Sequence, residues 1–97
     1  MMNDLRRLRP KGEQRERIVA FLRRLIKERE QGWNHLIVVT YFIPSEADPE
    51  IGSYDTRCGY FSYVDAQERT ICIDHRLTIP LRYVYDIRLV ECASYKG

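Results

Sequence analysis

At Gly32 the apolar residues change period, and that change limits the chain to a helix followed by a sheet. Before it, Ile18, Phe21, Leu22, Leu25 and Ile26 recur at intervals of three and four, with Val19 widening the stripe. Side chains spaced this way share one face of a 3.6-residue helix. The positions between are mostly Arg, Lys, Glu and Gln, so residues 13–31 read as an amphipathic helix. Glu13 and Glu16 fall in its first turn, where carboxylates favour the positive end of the helix dipole, and Gly32 supplies a left-handed stop.

Beyond Gly32 the residues that prefer strands take over. His35 to Ile43 is dense in β-branched and aromatic side chains, a pattern suited to a strand covered on both faces. Pro44 ends it, and two prolines within residues 44–53 make that stretch an acidic loop. Tyr54 to Val64 is the next strand, with a bend or bulge expected at Gly59. After a turn over Asp65–Arg69 come short strands at Thr70–Asp74 and Leu77–Ile79, joined by a tight connection at Asp74-His75-Arg76. Pro80 halts the second, residues 79–84 form one helical turn with Leu81 and Val84 facing inward, Ile87–Cys92 is the last strand, and residues 94–97 fray.

The expected fold class is therefore α+β, an N-terminal amphipathic helix followed by a small five-stranded antiparallel sheet that is strongly curled or closed into a barrel. A chain of 97 residues has room for one hydrophobic core, so residues 1–97 form a single domain. Its parts are a basic arm (1–12), the helix (13–31), the β unit (32–93) and the tail (94–97). Arm residues have little apolar surface to bury and are expected to add little to folding.

Charge is divided unevenly along the chain. Residues 1–31 carry ten Lys/Arg against five Asp/Glu, leaving +5, and residues 32–97 carry six against nine, leaving −3, which together give the net +2. A basic head on a mildly acidic body suits an anionic partner, either an acidic protein surface or nucleic acid. Arg6, Arg7, Arg9 and Lys11 of the arm and Arg15, Arg23 and Arg24 of the helix are the partner-binding candidates. Tyr60, Tyr63, Tyr83 and Tyr85, interleaved with Arg57, Arg69 and Arg82, are the candidates for stacking nucleic-acid bases.

Catalytic and metal chemistry find little support. Cys72, Asp74 and His75 are the nearest approach to a nucleophilic site, but His75 opens a turn and would have to fold back to reach the sulfur. Cys58, Cys72 and Cys92 each fall in an expected strand and read as buried, reduced thiols; their odd number and spacing suit a reducing compartment. His35 and His75 stand forty positions apart with no third ligand at metal-site spacing, and no phosphate-binding or nucleophile-elbow motif is present. The expectation is a protein that is not an enzyme and that needs neither cofactor nor metal. Apolar runs such as Leu36 to Val39 are too short to cross a bilayer, so no membrane role is expected and the cytoplasm is the expected location.

Three stretches, Gly59-Tyr60-Phe61-Ser62-Tyr63-Val64-Asp65, Thr70-Ile71-Cys72-Ile73 and Ile79-Pro80-Leu81-Arg82-Tyr83-Val84-Tyr85-Asp86-Ile87, resemble the C-terminal half of YolD-like proteins, over roughly residues 35–90. The resemblance implies a small Sm-like or SH3-like β module. It also implies a regulator of a Y-family translesion DNA polymerase, since members of that family, short proteins of Gram-positive bacteria and their mobile elements, are often encoded beside such polymerases. The leading expectation is a non-enzymatic protein-interaction module acting in the DNA-damage response. Beside it stand an Sm-like nucleic-acid-binding protein and a phage or mobile-element inhibitor of a host defence protein, with self-association left open.

Overall fold

The computed structural model describes residues 7–8 and 13–97. Helix α1 (Glu13–Glu30) is followed by β2 (Trp33–Pro44), β3 (Ile51–Asp65), β4 (Thr70–Ile73), β5 (Leu77–Pro80), a 3-10 turn (Leu81–Tyr83) and β6 (Val84–Lys96), with a two-residue β1 (Arg7–Leu8) before the helix. All pairings are antiparallel, in the order β5-β4-β3-β2-β6, and β1 pairs with the start of β3.

The helix forms and stops for the reasons its sequence supplies. Ile18, Leu22 and Leu25, at successive spacings of four and three, are each at most 5% exposed and face the sheet; burying side chains of this size is worth roughly 1.5–3 kcal/mol each. Lys27 and Arg29 occupy the last turn, where cations complement the dipole, and Gly32 at φ 97° reverses the chain after it. Inward-facing His35, Ile37 and Val39 of β2 alternate with half-buried Leu36, Val38 and Thr40, so this strand is covered completely on one face only, not on both. The core joins the helix stripe to Ile37, Val39, Phe61, Ile71, Ile73, Ile79, Val84 and Ile87.

Several boundaries differ from expectation. β3 begins at Ile51, because Ser45 N–H donates to the Ile51 carbonyl and closes the loop early. The irregularity in β3 lies between Phe61 and Tyr63, where it meets β4, and not at Gly59. The C-terminal tail does not fray: Tyr95 and Lys96 pair with Asn34 and Trp33, and Gly97 N–H donates to the Gly32 carbonyl. Part of the arm also enters the sheet, since Arg7 and Leu8 pair with Gly52 and Ile51.

No pairing between β5 and β6 closes the sheet among the described residues, so the strands form an open antiparallel sheet. The chain leaves the β5 edge through Pro80, which has no N–H to donate, and the 3-10 turn carries it to the opposite edge.

Candidate functional site

Arg15, Arg69 and Arg82 belong to three separate elements, and hydrogen bonding brings two of them together. In the β3–β4 turn, Asp65 Oδ1 accepts the N–H groups of Gln67 and Glu68 at 3.0 Å each. That tightens the turn and leaves Arg69 left-handed at φ 57°. The Arg69 carbonyl then accepts Leu81 N–H at 2.9 Å, which fixes the 3-10 turn, and Arg82 with it, beside Arg69. The first turns of α1 add Arg15 to the same mouth.

Between these arginines lies a pocket of ≈ 360 Å³. Ile18, Leu22 and Val84, all core residues, form its floor. Leu81 and Val19 form its walls, and Val19 is 43% exposed, an apolar side chain left uncovered at the rim. Among the described residues no carboxylate lines it.

The charges of the helix divide into committed and free. Arg17 contacts Asp86 at 2.7 Å, Arg24 contacts Glu28 at 3.2 Å, and Arg29 donates to Asn34 at 2.7 Å. In the β unit Arg57 pairs with Asp55 at 3.2 Å, and Arg88 with Asp86 at 2.8 Å. Burial raises the Asp86 carboxyl, but hydrogen bonds from Arg17 and Arg88 outweigh it and hold the group below its ordinary range. Arg15, Arg23, Arg69 and Arg82 make no ion pair among the described residues. Of the partner-binding candidates, Arg24 is thus engaged, while Arg15 and Arg23 have no carboxylate partner among the described residues. Arg6, Arg9 and Lys11, and the side chain of Arg7, lie outside the described residues.

The four stacking candidates do not form one platform. Tyr83 packs against Phe42 with centroids 5.7 Å apart, and the Arg82 guanidinium lies 4.7 Å from its ring centre. Tyr85 meets Tyr54 edge-on at 5.1 Å, and Tyr54 in turn meets Phe42 at 5.5 Å. Tyr60 lies elsewhere, edge-on to Tyr95 with its hydroxyl donating to the Ala93 carbonyl at 3.3 Å. Tyr63 sits by His75, and its hydrogen bond with Cys72 pushes the phenol above its usual range.

A second constellation escaped sequence reasoning. His35 Nδ1 is 2.9 Å from Ser94 Oγ and its Nε2 is 2.6 Å from Glu28 Oε1, while Trp33 stacks on the ring at 5.6 Å and 2°. Leu36 pairs with Val90 and Asn34 with Tyr95, so residues 91–94 bulge opposite His35 alone and turn Ser94 onto the imidazole. No spacing in the sequence announces that bulge. It also exposes Cys92, and Cys58 is exposed beside Val38 on the sheet face away from the helix; of the three cysteines only Cys72 is buried.

Among the described residues no group of three metal-binding side chains comes together, and no helix is long and apolar enough to cross a membrane. Comparison with protein-family models, curated proteins and solved structures found no match.

Proposed function

We propose that this chain is a non-enzymatic interaction module that docks an acidic partner protein through the free arginines of α1 and the neighbouring turns. The observation that carries the reading is the division of charge: Arg17, Arg24, Arg57 and Arg88 are paired with carboxylates, while Arg15, Arg23, Arg69 and Arg82 are left exposed without one among the described residues. Arginine cannot shed its proton, so these positions stay charged and present planar donors matched to carboxylates. Under the YolD-like resemblance a translesion DNA polymerase is the first partner class to try, in the cytoplasm and without cofactor.

Fluorescence anisotropy with a labelled acidic peptide and a labelled single-stranded oligonucleotide of equal charge tests the reading. The peptide is expected to bind more tightly at low than at high salt, and Arg15→Glu with Arg23→Glu is expected to weaken it tenfold or more. Preference for the oligonucleotide would transfer the function to the Sm-like nucleic-acid reading. Indifference to both substitutions would remove the arginines from it.

A further inference from the structure

Resting on that acidic-partner reading, we propose that the pocket between α1 and the 3-10 turn is an anchor site for one large apolar side chain of the partner, flanked in the partner's sequence by carboxylates. Two features of the surface have to be met at once. The floor of Ile18, Leu22 and Val84 is aliphatic and offers no hydrogen-bonding side chain, so only an apolar group gains by entering it. Its mouth carries three guanidinium groups and, among the described residues, no carboxylate, so the groups beside the entering one must be anionic.

The pocket's size agrees with a side-chain anchor. At ≈ 360 Å³ it stands at the small end of the roughly 300–1,000 Å³ that ligand-sized pockets occupy. Protein interfaces concentrate their energy in such anchors, surrounded by charges that set orientation. The site is also formed in advance: the Leu81 N–H to Arg69 carbonyl bond and the buried floor hold it in the unbound chain. Little ordering is then left to be done on association.

Nucleic acid fits this pocket less well. Bases are held by stacking on ring faces, and among the described residues no aromatic side chain lines it; Tyr83, next to Arg82 in the 3-10 turn, has the Arg82 guanidinium over its face. Exposed Val19 has a natural role under the proposal, as the wall that the anchor covers.

The test uses the full chain and two labelled peptides, a glutamate-rich one with a single central Phe and the same peptide with Ala in its place. Calorimetry or anisotropy is expected to show the Phe peptide binding at least tenfold more tightly. Val19→Asp, a change at an exposed position that places a carboxylate among the arginines, is expected to reduce the Phe peptide to the level of the Ala peptide. Arg82→Ala should weaken both and serves as the second variant if circular dichroism shows Val19→Asp misfolded. Equal binding of both peptides would overturn the anchor site while leaving the acidic-partner reading intact. Failure of both peptides to bind would overturn the two together. Decanoate binding with neither peptide bound would make the pocket a small-molecule site and overturn the proposal.

Discussion

His35 Nε2 lies 2.6 Å from the Glu28 carboxylate, and this bond ties the last turns of α1 to the first residues of β2. An ionised carboxylate can only accept, so Nε2 carries the proton. The other nitrogen has a partner in either charge state. With His35 neutral, Ser94 donates its hydroxyl to Nδ1; with His35 charged, Nδ1 donates and the hydroxyl turns to the Val90 carbonyl, 3.3 Å away. Partial burial pushes the Glu28 carboxyl up, but hydrogen bonds from Arg24 and His35 outweigh it and hold it below its ordinary range.

A carboxyl whose folded pKa is lowered contributes stability that is complete above its unfolded value, here the ordinary 4.5, and that is lost as pH falls through the folded value. Denaturation measured across acid pH should therefore show the native chain losing stability below that value. Glu28→Gln should be less stable at neutral pH and flatter on acidification. An unchanged acid slope in the variant would mean that Glu28 contributes nothing to it.

Leu25 is 1% exposed at the centre of the helix stripe. Leu25→Ala should lower unfolding free energy by about 2–5 kcal/mol in urea titrations, as buried leucine truncations do. Val19→Ala, at the exposed pocket rim, should stay within about 0.5 kcal/mol. Equal losses at the two positions would mean that the helix does not pack as described.

Gly59 is buried where β3 runs under the β4–β5 turn, and a methyl group there would overlap Ile73 Cγ2 and the Asp74 carboxylate. That carboxylate accepts Tyr60 N–H at 2.8 Å, so it cannot withdraw without losing a bond. Gly59→Ala should cost about 1–3 kcal/mol, the usual range for overpacking, read as a lower thermal midpoint.

Cys58 and Cys92 are exposed and Cys72 is buried. A thiol reagent should modify two sulfurs of the native protein rapidly and the third only on unfolding, with peptide mapping placing the slow one at Cys72. Fast modification at Cys72 would mean that β4 opens readily.

The amino-acid order alone determined the helix, its buried face and its stop, because periodicity and a left-handed glycine act within a few residues of the chain. It likewise located the strand cores of β2, β4 and β5 and the turn after Pro80. Tertiary structure decided whatever depends on which strand lies beside which. Ser94 to Lys96 read as a polar tail, yet they extend β6 because Trp33 and Asn34 offer an unpaired edge. Cys92 read as a core thiol, yet it lies in a bulge where side-chain alternation no longer applies. Arg69 and Arg82, thirteen positions apart and read only as companions of the stacking tyrosines, are brought together at one pocket with Arg15 by a backbone hydrogen bond no local pattern records. Local preferences are written residue by residue, whereas register, bulges and the company a side chain keeps are set by the packing of the whole chain.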